Sequence, residues 1–160
     1  MTLSQANKTA SETAFLEYLD QALHTLTERD TFLLRKAANE RAISFRLAMH
    51  LQMLFPNWDV DCEYNCWESS GKRMNHIITT TNTAATEART IYPDIVIHKR
   101  GTSQNLAAIE ISKSTNDFGK HQDIKKLKAY KAQIGYAYAV LLTIGVDDDI
   151  DNNRIELMHE

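Results

Sequence analysis

Two short apolar runs, each containing one acidic residue, follow each other in the second half of the chain. The first, IYPDIVIHK over residues 91–99, carries Asp94, and the second, NLAAIEIS over residues 105–112, carries Glu110. A turn-like stretch containing Gly101 joins them, so the pattern predicts two strands of a hairpin. Because side chains alternate along a strand, Asp94 and Glu110 can share one face of the sheet, a few ångströms apart.

Two carboxylates at such a distance repel each other, and burial makes the repulsion costly. A divalent cation between them is the usual way to keep both ionised, and oxygen ligands suit magnesium, calcium or manganese. The alternative is that Asp94 is a turn residue after Pro93 and that Glu110 pairs with Lys99 or Arg100. The spacing of the two acids, with a basic helix downstream, favours a site.

A third acid lies on a long helix that the apolar periodicity predicts from Thr31 to Leu54. At 100° per residue, Glu40 falls within about 60° of the apolar positions that define the buried face. Either the helix packs on the sheet and brings Glu40 to the other two acids, or Glu40 lies at the rim and pairs with Arg41 or Arg46.

The remaining pattern predicts a single α/β domain over all 160 residues. An N-terminal helix begins near Ser11 after a frayed tail over residues 1–10. Later elements are a strand over 57–65, a long Thr-rich loop over 66–90, a Lys-rich helix over about 117–133, the buried strand YAYAVLLTIG and a last edge strand RIELMHE. The order is α-α-β-(loop)-β-β-α-β-(β).

Composition excludes several classes of protein. The net charge of −3 excludes a general polycation, so any contact with nucleic acid needs a local basic face. Two closely spaced cysteines, Cys62 and Cys66, are not a disulfide framework and favour a reducing, cytoplasmic location. No apolar run approaches the about 20 residues that span a bilayer, so we expect no membrane partner.

These motifs resemble, in their order, the PD-(D/E)XK or restriction-endonuclease-like nuclease superfamily. The residues that carry the resemblance are PDIVIHKRG…NLAAIEISKS, DVDCEYN, Asn39-Glu40-Arg41 and Asp123-x2-Lys126-Leu127-x2-Tyr130, and they cover about residues 33–145. The resemblance implies a restriction-endonuclease-like αβββαβ core, with a mixed central sheet flanked by helices.

The resemblance also implies an activity, which is hydrolysis of nucleic-acid phosphodiester bonds by a Mg²⁺-dependent (or Mn²⁺-dependent) endonuclease, with DNA as the expected substrate. By the same resemblance, Asp94, Glu110 and the backbone carbonyl of Ile111 bind the metal, and Glu40 supports the metal or its water. A homodimer or a partner protein is compatible with this class of small nuclease.

The chain departs from the family at the lysine that normally stands two residues after the second acid. Ser112 occupies that position and Lys113 follows it. In a regular strand Lys113 points to the opposite face, so its assignment as the catalytic lysine requires a bulge near Ser112. Otherwise the protein is a catalytically degenerate relative, which binds nucleic acid or a partner protein without cutting, or a slow enzyme.

A lysine from the downstream helix is the other source of positive charge. Placing the buried face of that helix on Ile124, Leu127 and Ile134 puts Lys128 and Lys131 near its edge and points Lys125 and Lys126 outward. The exposed lysines form either an ordinary solvated face or a patch for a phosphate backbone. The predicted nucleic-acid contacts are Lys99, Arg100, Lys125 and Lys128.

Overall fold

A five-stranded mixed sheet forms the centre of the protein in the computed structural model, which describes residues 3–66 and 92–159, with side chains from residue 11 onward. The strands lie in the order β1-β2-β3-β4-β5. They span β1 Asp59–Cys62, β2 Ile95–His98, β3 Asn105–Lys113, β4 Tyr138–Ile144 and β5 Arg154–Leu157. Neighbouring strands are antiparallel except β3 and β4, which are parallel.

The helices lie on both faces of this sheet. They span α1 Leu3–Arg29, α2 Thr31–Arg35, α3 Glu40–Leu54 and α4 Lys120–Ile134, and a short 3-10 turn covers Asp147–Asp149. A parallel pair of strands needs a crossover connection, and α4 supplies it between β3 and β4. The predicted α/β class, with a mixed sheet flanked by helices, is confirmed.

Two predicted boundaries differ from the structure, and a third is not tested by it. The predicted tail over residues 1–10 is helical from Leu3 onward. The predicted helix over 31–54 is broken, because Ala37 adopts a φ of 47° and Asn39 caps a new helix by accepting a hydrogen bond from the Ala42 amide at 2.8 Å. The predicted loop over 66–90 lies, apart from Cys66, outside the described residues.

The two faces of the sheet carry different side chains. The larger apolar cluster fills the space between the sheet and α1 and α3, and from β3 it includes Ile109 and Ile111. The smaller cluster, against α4, includes Ala108 of β3 and Leu127 of α4. Each buried Leu or Ile contributes about 1.5–3 kcal/mol, so the α1/α3 face supplies the larger share of the stabilisation by apolar burial.

A membrane span is not found among the helices that the structure describes, since none is both long and apolar enough to cross a bilayer.

Candidate active site

The register of the β2–β3 hairpin positions the two strand acids. Ile95 pairs with Ile109, and the antiparallel pairing therefore places Asp94, immediately before β2, across from Glu110. Both residues lie on the α4 side of the sheet by the alternation of side chains along each strand. The prediction that the hairpin brings Asp94 and Glu110 side by side agrees with this register.

Each carboxylate is held by a specific donor. The Ile111 amide donates to Asp94 Oδ2 at 2.7 Å. The Tyr130 hydroxyl donates to Glu110 Oε1 at 3.2 Å, and Lys126 Nζ lies 3.7 Å from Glu110 Oε2. Glu110 is only 3% exposed, so its carboxylate has exchanged most of its water for these two side chains of α4.

The pKa values of both acids are raised. Burial, followed by the charge of Asp94, raises the pKa of Glu110 to about 9. Burial also raises the pKa of Asp94 to about 6, to which the charge of Glu40 adds, although the hydrogen bond from the Ile111 amide acts in the opposite direction. The pair therefore retains a proton near neutral pH, as expected for two interacting buried carboxyl groups.

The donor set of this pair fits a magnesium ion. Mg²⁺ commonly uses one or two protein carboxylates and keeps several waters, and Asp94 and Glu110 supply two. The carbonyl of Ile111 points to the same edge of β3 as its amide, which already contacts Asp94. Two carboxylates and one backbone carbonyl are thus the candidate ligands.

Glu40, the third acid of the prediction, lies across a cavity from Asp94, and its support of a metal or of its water stays a prediction. The described residues contain no group of three or more His, Cys, Asp and Glu side chains arranged to hold a metal ion. Glu40 begins α3, which packs on the opposite face of the sheet from Glu110. Its charge acts on Asp94 from across a cavity that both side chains line.

The basic residues that the rim alternative assigns to Glu40 have other partners. Arg41 pairs with Glu63 at 3.2 Å, and Arg46 Nε pairs with the buried Asp30 at 2.7 Å.

Lys126 faces the site, which corrects the prediction that it points outward. Its side chain is 25% exposed, and its ammonium also binds Asp123 Oδ1 at 3.0 Å. Burial alone would lower the pKa of Lys126, but the carboxylates of Glu110 and Asp123 outweigh burial and raise it. The sequence pattern Asp123-x2-Lys126-Leu127-x2-Tyr130 contained the signal, since Lys126 and Tyr130 are one helical turn apart and both contact Glu110.

Lys113 lies on the wrong face for catalysis, which corrects its assignment as the catalytic lysine. Its ammonium donates to the carbonyls of Ala37 and Ala38, at 3.2 and 3.3 Å, beyond the end of α2. β3 pairs with β4 without interruption from Ala107 to Lys113, so no bulge turns Lys113 toward Glu110. Ser112 shares the face of Glu110, but its hydroxyl donates to the Asn116 carbonyl at 3.2 Å.

The predicted nucleic-acid contacts Lys99 and Arg100 lie beyond the other end of β2 from Asp94, roughly 17–20 Å along the strand direction. Arg100 binds the carboxylate of Asp61, with Nε at 2.8 Å from Oδ2, and Lys99 Nζ lies 5.3 Å from the centre of the Trp58 ring. These two residues bind side chains of the β1–β2 edge of the sheet, and their contact with nucleic acid stays a prediction.

The other two predicted contacts, Lys125 and Lys128, are exposed on α4. They lie on the same helix as Lys126, so they remain candidates for contact with a phosphate backbone next to the acids.

Comparisons of the chain with models of protein families, with curated proteins and with solved structures find no match.

Proposed function

We propose that the chain is a metal-dependent nuclease that hydrolyses phosphodiester bonds in nucleic acid, on a restriction-endonuclease-like core, with DNA as the substrate to test first. The observation that carries the proposal is the pairing of the partly buried Asp94 with the buried Glu110, beside the ammonium of Lys126. The element order from α3 to β4, which is αβββαβ with β3 and β4 parallel, supports the same proposal.

The two carboxylates and the Ile111 carbonyl would hold Mg²⁺ or Mn²⁺. A divalent cation bound there supplies Lewis-acid polarisation of a phosphate oxygen and lowers the pKa of a bound water. The raised pKa values show that ionising both acids is unfavourable, and a bound divalent cation would offset this repulsion between the carboxylates.

The chain's own residues supply orientation and charge. The Ile111 amide fixes Asp94 and the Tyr130 hydroxyl fixes Glu110, so both carboxylates are positioned before substrate arrives. Lys126 supplies the positive charge that Ser112 lacks, and it does so from α4. A cation beside the phosphate stabilises the negative charge that develops in the transition state.

A second candidate function is a nuclease-fold module that binds nucleic acid or a partner protein without cutting. One observation favours it: Lys126 already pairs with Asp123 and lies next to Glu110, so these charges compensate each other without a metal ion. The absence of a three-acid metal group among the described residues points in the same direction.

Nicking of supercoiled plasmid DNA in Mg²⁺ or Mn²⁺ tests the nuclease proposal. The expected result is that Asp94→Asn lowers the rate of nicking at least about a hundredfold, the scale of losing one key electrostatic group. Asp61→Asn is the matched control, because it removes the same charge from a β1 carboxylate that is bound by His98 and Arg100 and does not contact Glu110, so it should leave nicking unchanged.

Two results would contradict the proposal. If the parent protein does not nick DNA or RNA with either metal yet retards it in a gel, the binding module replaces the nuclease. If Asp94→Asn and Asp61→Asn nick at the same rate, the activity does not come from this site.

A further inference from the structure

A cavity of about 590 Å³ adjoins the acid pair, between the start of α3 and the end of β1. Its described lining includes Glu40, Arg41 and Phe45 of α3, with Glu63 and Asp94 on the side of the sheet. A cavity of this volume falls in the range of small-molecule sites, which is about 300–1,000 Å³, and one heterocyclic ring and its sugar fit such a space.

We propose that this cavity binds an unpaired nucleobase stacked on Phe45, so that single-stranded or frayed nucleic acid is the substrate class. The inference rests on the proposed function for the assignment of nucleic acid as the ligand. It adds a base-binding subsite to the site made by Asp94, Glu110 and Lys126.

Phe45 is the apolar wall of the cavity. Ile43 and Leu47 point into the core from the same helix, whereas Phe45 points away from the core and is 58% exposed. An exposed phenyl ring alone is ordinary on a protein surface. Here Phe45 borders the same cavity as Asp94. A base stacked on the ring would therefore lie close to Asp94, which is one of the proposed metal ligands.

Arg41 adds a second planar group one turn before Phe45 on the same side of α3. Its guanidinium is 82% exposed and pairs with Glu63, which is itself about half exposed. An exposed ion pair of this kind contributes about 0–1 kcal/mol, so a ligand can displace Glu63 at small cost. Guanidinium planes, like aromatic rings, stack on unpaired bases.

The charge of the cavity favours a base over a phosphate next to Phe45. Three carboxylates, from Glu40, Glu63 and Asp94, line it and only Arg41 opposes them among the described lining residues. A phosphate without a metal ion is repelled there, whereas the neutral ring of a base is not. Carboxylates also accept hydrogen bonds from the amino groups of bases.

The pairing state of the substrate follows from this geometry. In a duplex the faces of the bases are stacked on each other and unavailable to a side chain on a helix. Phe45 can therefore contact only a base that is single-stranded, frayed or flipped out. A chain that uses this cavity should prefer single strands to intact duplexes of the same sequence.

Fluorescence anisotropy with a labelled single-stranded 12-mer, and with the blunt duplex of the same sequence, tests the inference. Ca²⁺ replaces Mg²⁺ so that binding is measured before cleavage, and the salt concentration is fixed because phosphate contacts depend on it. We expect Phe45→Ala to weaken single-strand binding about 5- to 100-fold, the range for loss of one stacked base. Phe45→Trp should bind within about twofold of the parent, since indole also stacks.

Met49→Ala is the matched control, because Met49 is exposed one turn further along α3 and does not belong to the described lining of the cavity. It should leave binding unchanged, and the parent should bind the single strand at least about tenfold more tightly than the duplex. Equal losses for Phe45→Ala and Met49→Ala, equal affinity for the two oligonucleotides, or no binding of either would overturn the inference.

The outcome separates this inference from the proposed function. If the protein binds single strands through Phe45 but never cleaves them, the base-binding site is supported and the nuclease activity is contradicted. If cleavage depends on Asp94 but binding does not depend on Phe45, the nuclease activity is supported and the base-binding site is contradicted.

Discussion

The two ends of strand β2 carry acidic clusters with opposite electrostatics. Asp61 lies on β1 opposite Val96, and its carboxylate reaches the C-terminal end of β2, where it accepts hydrogen bonds from His98 Nε2 and Arg100 Nε, both at 2.8 Å. At its N-terminal end, Asp94 faces a second buried acid, Glu110. One end of β2 therefore adjoins an acid with basic partners, and the other end adjoins two acids that face each other.

The pKa values of Asp61 and Glu110 are shifted in opposite directions. Burial alone would raise the pKa of Asp61, but hydrogen bonds from Arg100 and His98 outweigh burial and hold its pKa below the ordinary value. The pKa of Glu110 is instead raised, by burial and by Asp94, despite the nearby Lys126. The first cluster stabilises the fold when ionised, and the second destabilises it, which is the usual property of a functional site.

The largest effect that we expect in this comparison comes from removing the cation beside the acid pair. Lys126→Met keeps the length and most of the apolar contact of the side chain but removes its charge from Glu110 and Asp123. If Lys126 replaces the lysine absent at Ser112, plasmid nicking should fall about a hundredfold or more.

Lys36→Met is the control for this change, because it alters the net charge equally from an exposed position at the end of α2, away from α4. It should retain nicking within about threefold, the scale of losing one screened surface charge. Equal losses in the two variants would indicate a bulk charge effect on DNA binding and would remove Lys126 from the site.

The sequence predicted the strand acids because their arrangement is local. Alternation along two strands and a short connection decide that Asp94 and Glu110 share a face, and the observed register agrees. The direction of Lys126 was not predictable in this way. A helix face drawn through Ile124, Leu127 and Ile134 omits Tyr130, whose burial rotates the face so that it includes Lys126.

The break between α2 and α3 was also beyond the sequence pattern. Residues 31–54 keep a helical period and contain neither Gly nor Pro, yet Ala37 adopts a positive φ. At the break, the ammonium of Lys113 from the sheet binds the carbonyls of Ala37 and Ala38, and Asn39 caps α3. The same contacts hold the Lys113 ammonium away from the acid pair.

A smaller effect should appear when the acid pair is reduced to one acid. A carboxyl group whose pKa is raised on folding contributes stability below its unfolded pKa, about 4.3, and loses that contribution as the pH rises through about 9. Glu110→Gln removes this loss. At pH 8 we expect the variant to be more stable to urea by at least about 1.4 kcal/mol, the equivalent of one pKa unit.

Addition of Mg²⁺ should reverse the order of stability of the parent protein and Glu110→Gln. The parent should gain thermal stability from Mg²⁺ at pH 8, because a cation held by both carboxylates binds only the folded chain. Glu110→Gln should gain little. A parent protein whose melting temperature ignores Mg²⁺ and Mn²⁺ would remove the metal from the proposed site.

The smallest effect should come from the other end of β2, with the opposite sign. Asp61→Asn keeps the shape of the side chain but weakens its bonds to Arg100 and His98, so stability at pH 7 should fall by about 1 kcal/mol or less, because Arg100 is largely exposed. A lowered pKa contributes stability above the unfolded pKa of about 3.9 and loses it as the pH falls. The difference between variant and parent in urea unfolding should therefore shrink from pH 7 to pH 3, where Glu110→Gln also matches the parent. A gain in stability for Asp61→Asn, or a difference that grows toward low pH, would show that the two ends of β2 are not electrostatic opposites.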